Sequence, residues 1–260
     1  MRRIIVFIKK CFKVLKNNYA FGVVFLIWWF ISYFKIFPQY FFPSPFDVFA
    51  LFFKTLFDGE LLKLVLISLT NCFLGFALGF IVATLFVFLS VNSKHFKQFI
   101  LPLVRATYPI PKIAWLPLFL LWFGFSFKSL VFLVALTSFF DIFYNFLAGI
   151  ENVNVEYKRA GKSLGLSGYK YFKEILFWGS FPFILTGIRL AIGSSWRVTV
   201  AIEMLASTVH GLGWFLWRAS EFFRYDQVFV SIITIALVGL CLEKFLIKVI
   251  EEKTINIWYK

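Results

Sequence analysis

Residues 151–187 read ENVNVEYKRAGKSLGLSGYKYFKEILFWGSFPFILTG and form the longest polar, basic interval between apolar runs of this chain. Asn152 or Asn154 can cap a first helix, and Glu156 in its first turn suits the positive end of the helix dipole. Gly165 is a natural end for that helix, because glycine adopts the left-handed backbone without steric cost. Ser167 can then cap a second helix. The stretch therefore predicts a helix–turn–helix loop between two apolar segments.

The composition around this loop is that of a membrane protein. The chain has 260 residues, of which 61% are hydrophobic and only 15% charged, and its mean hydropathy is +0.84. A soluble domain does not have these values, whereas a protein with several membrane spans does. The net charge of +14 would suggest nucleic acid as the partner of a soluble protein. Here the basic residues flank apolar runs, so we expect lipid and no nucleic acid as the surroundings.

Six apolar segments predict six membrane spans. They cover approximately residues 19–37, 62–91, 99–123, 129–150, 180–205 and 227–249. The third is broken by prolines at 102, 109, 111 and 117, which a membrane tolerates where neighbouring helices satisfy the freed backbone groups. Residues 44–57 are apolar but too short to span, and they predict a helix in the outer interface.

The distribution of lysine and arginine predicts the topology. Most of the 27 basic residues fall on one side if the N-terminus is cytoplasmic. This arrangement gives a basic cytoplasmic segment at 1–18, a transmembrane domain at 19–249 with its loop at about 151–179 in the cytoplasm, and a cytoplasmic tail at 250–260.

Several polar residues fall within the predicted spans and are candidates for a transport pathway. They are Arg105, Lys112, Asp141, Asn145, Arg189, Arg197 and Glu203. Ionisable residues are costly in lipid and normally face the bundle interior, each other or water. Each of the six ionisable residues can therefore line a pathway or form a structural ion pair, and Glu203 can pair with Arg189 or Arg197 on its own span. The basic majority suits an anionic solute.

No catalytic, cofactor-binding or metal-binding motif is present. Residues 161–163, Gly-Lys-Ser, match the end of a phosphate-binding loop, but that loop needs a glycine five residues earlier, where Glu156 stands. The three cysteines are far apart and fit no metal-ligand spacing.

The 151–187 stretch resembles the cytoplasmic loop of the membrane subunits of ABC importers. That loop carries Glu-Ala-Ala, a glycine four residues after the second alanine, and then Ile-x-Leu-Pro. Ala160, Gly165 and Ile175 agree with this motif, whereas Arg159 replaces the glutamate and Gly161 the second alanine. The resemblance implies that the loop docks on an ATPase. The implied docking residues are Glu156, Arg159, Ala160, Gly161, Lys162, Leu164, Gly165 and Ser167.

Four further runs resemble permeases for nitrate, sulfonates, taurine and related small anions. They are YPIPKIAWLPLFLLWFG at 108–124, FPFILTGIRLAIG at 181–193, AIEMLAS at 201–207 and GLG at 211–213. One departure is Asp141, which stands where a proline is expected before Asn145. Another is Phe-Trp at 177–178, where the loop motif has Leu-Pro.

The resemblance implies the fold, an all-α membrane protein of about six spans with a coupling helix, known as the type I ABC importer permease fold. It implies a homodimer in the inner membrane, with the pathway between the two copies. Separate ATPase subunits would hold ATP and Mg, and an extracytoplasmic binding protein would deliver the solute. The chain itself is then not an enzyme. Sulfonate, taurine, nitrate, bicarbonate and a vitamin precursor remain open as solutes.

Two alternatives belong to other classes. An ion-coupled secondary transporter would account for Asp141 and Glu203 but not for the basic, glycine-hinged loop. A membrane scaffold without transport would not account for the charges within the spans.

Overall fold

The computed structural model describes residues 22–205 and 210–258, and the regular structure within them is helical. The helices are α1 (Gly22–Tyr33), α2 (Pro45–Phe57), α3 (Glu60–Asn92), α4 (Lys94–Thr107), α5 (Leu116–Phe123), α6 (Phe127–Asn152), α7 (Val155–Ser163), α8 (Gly168–Tyr171), α9 (Phe181–Leu205), α10 (Leu212–Glu221) and α11 (Tyr225–Trp258). A 3₁₀ turn, Lys112–Trp115, precedes α5, and a π-helical turn, Phe172–Phe177, follows α8. The predicted basic segment at 1–18 lies outside the described residues.

The apolar segments occur in the predicted order, but not all as full-length spans. Helices α3 and α6 and the Tyr225–Lys244 part of α11 are each long and apolar enough to cross a membrane. The α8 and α9 segments form a fourth candidate span that is bent by 79°. The first and third predicted spans are shorter apolar helices, Gly22–Tyr33 and Lys112–Phe123. The expected all-α membrane architecture is confirmed.

The third segment differs from the prediction in where it begins and breaks. Only Ser93 separates α3 from α4, and its hydroxyl accepts a hydrogen bond from the Phe96 amide at 3.2 Å. Pro102 lies inside α4 without ending it, so the break falls later, at residues 108–111. A single proline removes one backbone hydrogen bond, whereas Pro109 and Pro111 remove two donors within one turn.

Helix α6 is the centre of the bundle. In its 18-residue apolar stretch, 67% of the residues are buried, compared with 28% in the corresponding stretch of α3 and 17% in that of α11. Gly75 and Gly79 of α3 lie so close to α6 that a Cβ at either would overlap α6 atoms. Gly187 of α9 lies against Asn145 of α6, and a Cβ added at Gly187 would lie 2.9 Å from the Asn145 Cβ. Small residues allow this close approach where lipid provides no hydrophobic drive for helix association.

The two ends of the bundle carry different structures. At one end, α2 and α10 pack on α3, α9 and α11 around buried Val48, Leu61 and Leu212. At the other end, Phe172 packs between Phe88 of α3 and Phe146 of α6. The α7–α8 hairpin therefore joins the bundle at the end opposite to α2 and α10.

Candidate functional site

The first helix of the loop begins as its sequence predicts. Asn154 occupies the N-cap of α7, and its side-chain oxygen accepts a hydrogen bond from the Glu156 amide at 2.9 Å. Ser167 occupies the N-cap of α8 with extended backbone, but its side chain makes no capping hydrogen bond. The predicted position of the second cap is therefore right, while the predicted hydrogen bond is not formed.

Gly165 ends α7 in the left-handed conformation, with φ of +73°. The Leu166 amide donates to the Gly161 carbonyl and the Gly165 amide donates to the Lys162 carbonyl, both at 3.0 Å. This pair of hydrogen bonds is the Schellman arrangement, which satisfies carbonyls that a helix end otherwise leaves free. The predicted glycine stop is confirmed.

The two arms of the hairpin pack directly on each other. A Cβ at Gly161 would lie 2.8 Å from Cγ1 of Ile175 in the π-helical turn. A Cβ at Gly179 would lie 2.9 Å from both methyl carbons of Val153. Glycine therefore stands at 161, where the related motif has alanine, because the second arm leaves too little room for a methyl group.

The hairpin exposes apolar side chains outside the membrane spans. Val155 is 55% exposed, Tyr157 63% and Leu164, at the hairpin tip, 76%. Arg159 and Lys162 are also exposed, as are the remaining predicted docking residues apart from buried Gly161. An exposed apolar patch with basic residues around it, as on this hairpin, is typical of a protein-binding surface.

A polar cluster forms where the third segment breaks, and we call it the helix-break cluster (Tyr108, Lys112, Asp141, Ser194). Lys112 Nζ lies 3.4 Å from Oδ1 of Asp141 on α6, and 5.1 Å from the centre of the Tyr108 ring. The second carboxylate oxygen of Asp141 accepts a hydrogen bond from the Ser194 hydroxyl of α9. Three elements of the bundle thus meet at one carboxylate near the middle of α6.

Two further predicted residues lie beside this cluster. Asn145, one turn after Asp141 on α6, donates from Nδ2 to the Asp141 carbonyl at 2.7 Å. Arg105 is exposed in the last turn of α4, near Tyr144. The Tyr144 ring lies 4.5 Å from the Tyr108 ring, centre to centre. The structure therefore brings four of the seven candidate pathway residues into one region.

Arg189 and Arg197 line a different surface, a groove of about 890 Å³ between α9 and α11. Arg189 pairs there with Glu243 of α11 at 3.0 Å, and their side chains are 46% and 56% exposed. Arg197 lies farther along α9 on the same groove and is also exposed.

Glu203 lies in a third place, where it is fully buried. Its Oε2 accepts hydrogen bonds from the Ser68 hydroxyl at 2.7 Å and from the Gly213 amide at 3.1 Å. Its Oε1 accepts from Asn71 Nδ2 at 3.0 Å. The Leu212 amide donates to the same Ser68 oxygen at 2.9 Å. We call this group the Glu203 clasp, and it joins α3, α9 and the start of α10.

The clasp overturns the pairing of Glu203 with Arg189 or Arg197 that the sequence allowed. Arg189 instead pairs with Glu243. A Cβ at Gly211 would overlap the Glu203 carboxyl group, and one at Gly213 would overlap the Val200 carbonyl. The two glycines of the GLG run therefore let the backbone close over the carboxylate, which excludes a side-chain partner on that side.

Sequence reasoning missed the small polar residues that complete these sites. Ser68, Asn71 and Ser194 each lie in an apolar span and are buried or half-buried. A lone serine or asparagine in a span is a weak signal, since its hydroxyl or amide can also bond to its own helix.

Comparison with known proteins gives the class. Residues 75–254 match the family described as the binding-protein-dependent transport system inner membrane component, and the chain belongs to this family. It is therefore the membrane permease of an ABC importer, a transport subunit whose ATPase is a separate chain. ATP-binding and solute-binding partners follow in general terms from the family.

The curated relatives have similar descriptions. The chain is 29% identical to the putative aliphatic sulfonates transport permease protein SsuC of Bacillus subtilis, over 90% of this chain and 84% of the relative. It is 34% identical to the putative ABC transporter permease protein MJ0413 of Methanocaldococcus jannaschii, over 78% of this chain and 75% of the relative. It is 33% identical to the nitrate import permease protein NrtB of Synechocystis, over 69% of this chain and 65% of the relative.

Proposed function

We propose that two copies of this chain form the translocation pathway of an importer for a small anion, a sulfonate, taurine, nitrate or bicarbonate. An extracytoplasmic binding protein delivers the solute, and both chain termini lie in the cytoplasm. The observation that carries this proposal is the charged groove between α9 and α11.

Charged side chains on this groove are exposed although they lie on membrane-spanning helices. Arg197 is near the middle of α9, too far from either end of the helix for its side chain to reach an interface easily. An arginine facing lipid at that depth costs about 2.5–3.5 kcal/mol on an insertion scale. The groove is therefore more stable against a second copy and a hydrated pathway than against lipid.

The charges within the spans favour an anionic solute. Arg105, Lys112, Arg189 and Arg197 are basic, while Asp141 and Glu243 are each engaged with a base and Glu203 is closed within its clasp. The relatives that are similar to this chain include permeases named for aliphatic sulfonates and for nitrate. Both solutes are anions, which agrees with the excess of positive charge.

The α7–α8 hairpin supports docking of a separate ATPase. Its exposed Leu164 can enter an apolar depression, and Arg159 and Lys162 can meet acidic groups around it. The packing of Gly161 on Ile175 makes the hairpin one compact body. A rigid hairpin transmits a displacement of the ATPase to α6 and α9, which is how closure on ATP would switch access.

The function is tested on the complete importer in lipid vesicles, reconstituted with its ATPase and its binding protein. ATP hydrolysis and uptake are measured with taurine, methanesulfonate, nitrate and bicarbonate, and with choline as a cationic control. We expect one of the anions to stimulate both activities and choline to stimulate neither. Uptake that needs an ion gradient but no ATP would instead support the secondary-transporter alternative.

The dimer is tested by cross-linking in the membrane. Leu240 on the groove is 48% exposed and is replaced by cysteine in a chain whose native cysteines at 11, 72 and 241 are replaced by serine. A bifunctional thiol reagent should join two copies through this position. Phe99, 68% exposed on α4, provides the control position, and cross-linking there should be weak. Equal yields at the two positions would contradict a dimer formed through the groove.

A further inference from the structure

The two partners of the Lys112–Asp141 pair are held to different degrees. Asp141 is buried, with 8% of its side chain exposed, and its second oxygen is bonded to Ser194 of α9. Lys112 lies on the 3₁₀ turn after the break, and 26% of its side chain is exposed. Its distance of 3.4 Å from Asp141 is longer than the roughly 2.7–2.9 Å of a strong charged hydrogen bond. The carboxylate is therefore buried and held by a second partner, whereas the ammonium is more exposed and makes a long contact with it.

A carboxylate beside this ammonium occupies the position that an anionic solute would need. Nitrate and bicarbonate are planar anions with oxygens at the spacing of a carboxylate, and a sulfonate presents a similar edge. An unpaired lysine ammonium within a membrane span raises the free energy of the folded protein. Asp141 offsets this cost when no solute is present. The same carboxylate competes with any anion that reaches Lys112.

We propose that Asp141 is a tethered counter-anion, which an incoming anion must displace from Lys112 and which afterwards promotes release of that anion. The proposal rests on the proposed function, because it requires that an anion crossing the membrane through this importer reaches Lys112. Asp141 stays beside Lys112 after displacement, so the bound anion lies next to a like charge and leaves more readily. The Ser194 hydroxyl restrains the carboxylate from a closer contact with Lys112. Asp141 is in this sense a positioning residue for Lys112, and it limits affinity in favour of turnover.

The test compares anion binding by the permease–ATPase assembly in lipid nanodiscs without the binding protein. Thermal unfolding is followed while nitrate, bicarbonate, methanesulfonate and taurine are titrated at constant ionic strength. An anion that binds the folded assembly raises its unfolding temperature, and the concentration at which the rise begins reports its affinity. Maximal uptake is measured separately, in vesicles that contain the complete importer.

Asp141→Asn keeps the shape of the side chain and an acceptor for Ser194, but removes the competing charge. If the pair is formed about nine-tenths of the time, freeing Lys112 lowers the half-saturating anion concentration about tenfold. Maximal uptake should fall, because release is slower. Lys112→Gln should raise the half-saturating concentration, and the double variant should resemble Lys112→Gln alone.

Two further variants keep the test decisive. Ser194→Ala frees the carboxylate to approach Lys112 and should raise the half-saturating concentration, the opposite of Asp141→Asn. Glu151→Gln is the matched control, because it breaks a second lysine pair of α6, with Lys97 of α4 at 2.8 Å, and should leave anion binding unchanged. If Asp141→Asn assembles normally but binds anions no more tightly than the wild type does, Asp141 is not a counter-anion that competes with the solute. If Asp141→Asn does not assemble, Ser194→Ala with unaltered anion binding has the same meaning.

The outcomes separate this inference from the proposed function. If anions drive uptake by the wild-type importer but Asp141→Asn and Ser194→Ala bind them as the wild type does, only the counter-anion is wrong. If no anion drives uptake or stabilises the wild-type assembly, the anion importer is wrong and the counter-anion fails with it.

Discussion

Replacing Glu203 by alanine should release α10 from the bundle. The substitution removes the acceptor for three buried donors, on Ser68, Asn71 and Gly213. If each hydrogen bond contributes the average of about 0.6 kcal/mol found within membranes, the loss is about 2 kcal/mol. If each donor stays unsatisfied, at about 1–3 kcal/mol, the loss can exceed that several-fold. The smaller figure alone corresponds to about a 30-fold increase in the opening of the segment.

Hydrogen exchange along α10 measures this opening. The Phe215 amide, which donates to the Gly211 carbonyl at 3.0 Å, should lose protection in Glu203→Ala, because α10 is no longer held to α3 and α9. Amides in the middle of α6 should keep their protection and serve as the internal reference. Wild-type protection throughout α10 in this variant would refute the assignment of Glu203 as an anchor.

Glu203→Gln is the matched control. A glutamine can keep one oxygen toward Ser68 and Gly213, and its amide can donate to Asn71 if the Asn71 side chain turns over. All four groups then remain hydrogen-bonded, so the expected loss is below about 1 kcal/mol. If the α10 amides lose as much protection in Glu203→Gln as in Glu203→Ala, the negative charge, and not the set of hydrogen bonds, holds α10.

Three other changes have defined outcomes. Gly165→Val introduces backbone strain of about 1–2 kcal/mol at a left-handed position with open space around it, so it should reach the membrane but lose ATPase co-purification. Gly59→Val introduces similar strain at another left-handed position with open space around it, at the other end of the bundle, and should retain co-purification. Gly79→Leu should lower the unfolding temperature of the purified permease strongly, because its Cβ already overlaps Ser138 and the Ala135 carbonyl; an unchanged temperature would contradict the α3–α6 contact. A single cysteine at Lys170 should react with impermeant thiol reagents only from the cytoplasm and one at Arg218 only from outside, and reversed labelling would invert the proposed topology.

Local features of this chain were predictable from the sequence. The apolar segments, the N-cap at Asn154 and the glycine stop at Gly165 each depend on a few neighbouring residues with strong intrinsic preferences. Those preferences are expressed in the same way whatever the rest of the chain does, so the hairpin is folded nearly as its sequence predicts.

Contacts between distant helices were not predictable in the same way. The Ser68–Glu203 hydrogen bond joins residues 135 positions apart, and the Ser194–Asp141 bond joins residues 53 apart. Which polar residues meet depends on the rotation of each helix about its axis, and a span that is apolar all round leaves that rotation undefined. The sequence therefore identified the charged residues but paired Glu203 wrongly.

The π-helical turn at Phe172–Phe177 limits how this hairpin can be exchanged between proteins. Adding or removing one residue there would turn everything beyond it by about 100° around the axis of the α8 segment that the turn continues. The contact between Val153 and Gly179 joins the two ends of the block that contains the turn. A chimera meant to recruit another ATPase should therefore transfer residues 153–179 as one piece of unchanged length. A transfer of α7 alone would place a foreign helix against Ile175, with the wrong spacing to fit it.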